Sequence, residues 1–140
     1  MPDIDNDLLR RVEKNDPAAL WEYSRILEDK DSDEALKYLT LAAQLNYPPA
    51  IKSMADKLYD DNKVDEATHY YKMGAKAGLL DCSVKLAVIN LDSDEGRSLL
   101  ELEELAEMGV ESAAKALADY YASQGNKVQH DYWSSLVKDD

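Results

Sequence analysis

Apolar residues recur along this chain at spacings of three and four, as in Ala50, Met54 and Leu58, and strict alternation is absent over any useful length. The pattern predicts helices throughout. Ala, Leu, Glu and Lys, the strong helix formers, dominate between the breaks. Pro17, Pro48 and Pro49 open segments, while Gly78, Gly109 and Gly125 close them. The predicted helices pair as hairpins at about 17–29 with 33–46, 49–60 with 64–77, 81–91 with 95–108, and 112–123 with 127–138, after a leading helix at about 5–14.

A fixed period organises these hairpins. Asp33-Glu34-Ala35 returns 32 residues later as Asp65-Glu66-Ala67, and the same step carries Ala18 to Ala50, Tyr38 to Tyr70 and Ala43 to Ala75. A step of about 31 then takes Ala75 to Ala106, Gly78 to Gly109, Leu86 to Leu117 and Ala87 to Ala118. Self-similarity at this length is the mark of a repeat array, in which one hairpin cannot bury its own apolar face and stacking supplies the other half of each core. Small residues such as Ala35, Ala42, Ala43, Ala67, Gly74 and Ala75 let neighbouring helices approach, and Tyr38, Leu39, Tyr70 and Tyr71 fill the gaps between layers. The expected fold is all-α, an α-α superhelix (solenoid) of about four hairpins, with repeats at about 17–48, 49–80, 81–110 and 111–138. The leading helix around Ile4, Leu8 and Val12 would cap one end.

The 140 residues fit a single repeat domain spanning 1–140, and a hydrophobic fraction of 45% is ordinary for a folded chain. Sixteen basic against twenty-nine acidic residues leave a net charge of −13. That charge repels phosphates and anionic lipid and argues against nucleic acid or a membrane surface as partner; it would attract a basic protein. Cys82 is the one cysteine, so no internal disulfide forms, and a cytoplasmic location is expected. The opening Met1-Pro2-Asp3-Ile4-Asp5 is acidic where a signal peptide would be basic, and no apolar run approaches the roughly 18 residues of a membrane span.

The stretch Ala50, Met54, Leu58-Tyr59, Ala67, Tyr70-Tyr71, Ala75 and Gly78 resembles a Sel1-like repeat, a helix-turn-helix relative of the tetratricopeptide repeat. The likeness covers about residues 17–138. The third unit has Gly96 and Leu99-Leu100 where the family would show its alanine and aromatic pair, and the connection Asp60-Asp61-Asn62-Lys63 is shorter than the family's usual one. The resemblance implies a right-handed superhelix that works as a scaffold or adaptor for a protein or peptide partner. Arrays of this kind usually hold ligands on the concave face. Carrying the family's inward first-helix positions across by the period implies Leu20 and Ser24, Lys52 and Asp56, Val84 and Val88, and Lys115 and Asp119 as partner-binding residues. The set lacks the repeated basic residues that would clamp a peptide carboxylate.

Electrostatics add a second candidate surface. The turns 28–34, 60–66 and 92–95 are all acidic and one repeat apart, so Asp29, Asp31, Asp60, Asp61, Asp92 and Asp94 are expected to form an acidic edge that steers a basic partner. Turn 124–127 breaks the series. A plainer explanation is that Asp favours turns and helix N-caps, as Asp33 and Asp65 would. A further cluster, Glu101, Glu103, Glu104, Glu107 and Glu111, reads as a solvated outer face with Arg97 its only nearby base. Tyr70, Tyr71, Tyr120 and Tyr121 lie at packing spacing, whereas Trp21, Trp133 and Tyr47 are freer to be exposed and suit the core and a contact surface equally.

Chemistry is not expected. His69 and His130 lie in different repeats, Cys82 has no histidine near it in sequence, and no phosphate-binding Gly-rich loop or metal-ligand spacing occurs. We therefore expect no catalytic, cofactor or metal site. The leading expectation is a protein-interaction scaffold or adaptor. The alternative is an acidic inhibitor or immunity-type protein that blocks a basic enzyme or toxin. The apolar last helix, with Tyr132, Trp133, Leu136 and Val137, allows a homodimer.

Overall fold

The computed structural model describes residues 5–138. Within them the regular elements are helices: α1 (Asn6–Glu13), α2 (Pro17–Leu27), α3 (Ser32–Gln44), α4 (Pro48–Asp60), α5 (Val64–Lys76), α6 (Leu80–Ile89), α7 (Glu95–Glu107), α8 (Glu111–Ser123) and α9 (Lys127–Ser135). No strand occurs among the described residues. Ile4, expected on the leading helix, lies outside them.

Short polar side chains start several helices. Asp5 accepts from the Leu8 N–H at 2.7 Å, Asp16 from Ala18 at 3.2 Å, Asp31 from Glu34 at 3.2 Å and Asn126 from Gln129 at 3.1 Å. Each satisfies an amide that the helix itself leaves open. The caps of α3 and α5 are Asp31 and Lys63, not Asp33 and Asp65. Those two aspartates sit inside the first turn, where the helix dipole still favours a negative charge.

The ends follow one rule. Asn15, Asn46, Gly78 and Gly109 all take positive φ, at +59°, +63°, +89° and +95°, and each precedes the next hairpin. Asn62 and Gly125 do the same inside a hairpin. At Asn46 the amide donates to Ala43 O at 2.9 Å and the next amide, Tyr47, to Ala42 O at 3.2 Å, which closes the helix with a left-handed residue. Gly109→Ala is expected to cost about 1–2 kcal/mol in urea unfolding, because an L side chain at φ +95° is strained even with open space around it.

The chain divides into two compact units, Met1–Ala77 and Gly78–Asp140. In the first, each helix packs on its neighbour in sequence, α1 on α2 through α4 on α5. Its buried set runs from Leu8 and Val12 through Leu20, Ile51, Met54 and Leu58 to Tyr71, with Ala19, Ala42, Ala43, Ala50, Ala55 and Ala67 fully covered. Methyl-sized side chains at these places let helices approach closely. Leu8 and Val12 are one helical turn apart, so the polar remainder of α1 stays in solvent.

In the second unit α6, α7, α8 and α9 also pack in sequence, and α6 additionally meets α8. Val84, Ala87, Leu102, Ala106, Ala113, Ala114, Leu117, Ala118 and Trp133 form its core. Here the third repeat corrects its expected register. The buried positions on α7 are Ser98, Leu102 and Ala106, the first two 31 residues after Ala67 and Tyr71, while Leu100 is exposed. The deletion of one residue relative to the 32-residue step lies before α7, so its inward stripe is shifted accordingly.

Candidate protein-binding grooves

Each unit carries a groove between the first helices of its two hairpins. In the first unit a cavity of about 480 Å³ is lined by Trp21, Ser24, Arg25 and Glu28 of α2 and its end, by Leu36 and Leu39 of α3, and by Ser53, Asp56, Lys57, Asp60 and Asp61 of α4 and its end. In the second, a cavity of about 680 Å³ is lined from α6 by Val84, Lys85 and Val88 and from α8 by Lys115, Ala116, Asp119 and Tyr120, with Asp92 and Glu95 at its rim. The two correspond through the period: Trp21 stands two 32-residue steps before Lys85, and Ser53 stands a 32-residue and a 31-residue step, 63 residues, before Ala116.

The floor of the first groove is held by a polar network. The hydroxyl of fully buried Tyr71 donates to Asp56 Oδ1 at 2.5 Å, and Lys52 Nζ reaches Asp56 Oδ2 at 2.9 Å. Trp21 Nε1 points at Ser53 Oγ at 3.5 Å, and the Arg25 guanidinium lies 4.9 Å from the indole centre. Tyr47 meets the same indole at 5.9 Å between centroids. The ring is thus fixed on an otherwise open wall.

The residues expected to bind a partner divide by burial. Ser24 and Asp56 line the first groove, and Val84, Val88, Lys115 and Asp119 line the second. Lys52 sits behind Asp56 as its ion-pair partner. Leu20 is 0% exposed and presents no surface at all. Ser24 is also buried, its hydroxyl donating to Trp21 O at 2.6 Å. The side chains at the groove wall are one position further along the helix, Trp21 and Ser53, a pair exactly one 32-residue step apart. That step was present in the sequence and could have placed them.

The acidic turns divide in the same way. Asp60, Asp61 and Glu28 come together on the first groove, and Asp92 with Glu95 on the second. Asp29 is exposed in its turn. Asp31 is occupied as a cap, and Asp94 takes the capping position of α7 without a side-chain bond. Along α7, Glu101 pairs with Arg97 at 3.1 Å while Glu104 and Glu107 face solvent. At the groove edge the Tyr120 phenol is raised above its ordinary range by desolvation and by the Glu95 carboxylate, which accepts its hydrogen bond.

Of the aromatics expected to be free, Trp21 and Tyr47 are half-buried, but Trp133 is 5% exposed and belongs to the core. Tyr71 is buried, and Tyr70, Tyr120 and Tyr121 are half-buried. Val128, Tyr132 and Leu136, spaced by four, leave an exposed apolar stripe along α9 and its C-cap residue. Cys82 is buried; His130 Nδ1 lies 2.9 Å from Ala118 O, and His69 packs edge-on to Tyr70. Among the described residues no group of acidic, His and Cys side chains is placed to hold a metal, and no helix is long and apolar enough to cross a membrane. No family model, curated protein or solved structure matches this chain.

Proposed function

We propose that this chain is a non-enzymatic, cytoplasmic protein-interaction module, a Sel1-like array of helical hairpins that holds segments of a partner protein in its grooves. One observation carries the reading: hairpins of a common period leave a groove at the same repeat position in each unit, walled by the first helices of successive hairpins. Concave sites of this size, mixing apolar walls with a few polar groups, are where ligands are ordinarily bound. The regular left-handed residues at 15, 46, 78 and 109 support the array.

The test places a photo-crosslinking amino acid at Lys57 in the first groove, at Asp119 in the second, and at Glu104 on the outer side of α7 in the cells that make the protein. Discrete adducts from either groove position, with Glu104 silent, are the expected result. Silence at both grooves would overturn it. The −13 charge favours one other reading, an acidic inhibitor that occupies the site of a basic enzyme or toxin. That reading is selected if Glu104 alone gives adducts and the complex dissociates between low and high salt.

A further inference from the structure

The two grooves differ in what they can recognise. The first has an indole on its wall and four carboxylates, Glu28, Asp56, Asp60 and Asp61, against two bases, Arg25 and Lys57. Asp56 is already matched by Lys52 and Tyr71, and Arg25 lies over Trp21. Glu28, Asp60 and Asp61 are exposed and make no side-chain hydrogen bond or ion pair among the described residues. The second groove has no indole: its wall offers Val84 and Val88, and Lys85 and Lys115 nearly balance Asp92, Glu95 and Asp119.

We propose that the groove of the first unit binds a segment of a partner protein in which a lysine or arginine lies within a few residues of a large apolar side chain. The cation sits among Glu28, Asp60 and Asp61, and the apolar group lies against Trp21, Leu36 and Leu39. Three arguments select this occupant. Unmatched carboxylates at the C-terminal ends of both wall helices, α2 and α4, complement a cation and repel an acidic segment. The indole already accepts a guanidinium at 4.9 Å, so it is a surface for both apolar groups and cations. A cavity of about 480 Å³ takes two or so side chains, which fits a short linear segment. This inference rests on the protein-binding reading above and adds the chemistry of the partner.

The experiment uses the full chain, labelled with nitrogen-15, and an array of synthetic nonapeptides. In each, one Arg or Lys is set one to three residues from Leu, Phe or Trp, and matched peptides carry Gln in place of the base. Binding is read from the Trp21 indole N–H signal, assigned with Trp21→Phe. Basic peptides are expected to move that signal, and their Gln counterparts to bind about fivefold more weakly or worse. The variant Glu28→Gln/Asp60→Asn/Asp61→Asn should lose a similar factor. Removing the same charge from the other unit, as Asp92→Asn/Asp94→Asn/Glu95→Gln, should change affinity less than about twofold, since these side chains do not line the occupied groove and exposed charges outside a direct pair are screened by salt. Equal affinity for the Gln peptides would overturn the cationic occupant while leaving a groove that binds proteins. Equal loss in the two triple variants would reduce it to diffuse attraction and overturn it. Should no peptide move Trp21, the inference fails; crosslinking from Lys57 then decides whether the broader reading fails with it.

Discussion

Truncating Leu20 to alanine should lower the stability of the first unit by about 2–5 kcal/mol, as large-to-small changes in closed cores do. The family resemblance implies a ligand-facing surface for this residue, where the same change would cost about 0.5 kcal/mol or less. The structure leaves it no exposed area, and Ala19 beside it in the chain is equally covered. Urea unfolding followed by helical circular dichroism separates the two outcomes. A midpoint within error of the parent would mean that Leu20 is open to solvent and that the helix is rotated from its described position.

Trp133→Ala should cost about 3–5 kcal/mol and release α9 from the second unit. Trp133 is the buried residue of α9, and its Nε1 donates to Gln129 Oε1 at 3.2 Å on the same helix. Besides this side chain, α9 is tied by the His130 contact to Ala118 O, and the segment after it by the Lys138 N–H, which donates to Glu111 Oε1 at 3.1 Å. Two such bonds contribute about 1 kcal/mol each and do not replace a buried indole. Hydrogen exchange should therefore show α9 amides losing protection first, while Tyr132→Ala, on the exposed stripe, leaves them protected. Unchanged protection in Trp133→Ala would place the indole outside the core.

Much of the helical framework was legible beforehand because its signals are local. Pro17 and Pro48 open α2 and α4 at positions whose amides have no helical partner anyway, and Gly78, Gly109 and Gly125 take the left-handed conformation that ends a helix. Asn15, Asn46 and Asn62 take it too, but asparagine is only sometimes left-handed, so its presence alone does not mark a stop. The caps lie two residues before Asp33 and Asp65: the turn before α3 holds several acids and composition does not say which one caps, while α5 starts at Lys63 with no side-chain cap bond to signal it.

The groove was legible only to within one residue. Successive helical residues point about 100° apart, so Leu20 is sealed in the core while Trp21 lines the opening, although the two are adjacent in sequence. For Trp133 the sequence leaves core and contact equally open, and it is a core anchor: an amphipathic side chain suits either setting, and α8 decides which.

What this sequence determined by itself is a set of short helices, their breaks and their period, because propensity, turn conformation and repeat spacing act over a few residues or are copied along the chain. The division into units at Gly78, the face of each helix that is closed, the pairing of Tyr71 with Asp56, and the gathering of Glu28 with Asp60 and Asp61 were decided by tertiary structure. Each depends on which distant side chains meet, and burial and charge pairing are properties of those meetings, not of any residue taken alone.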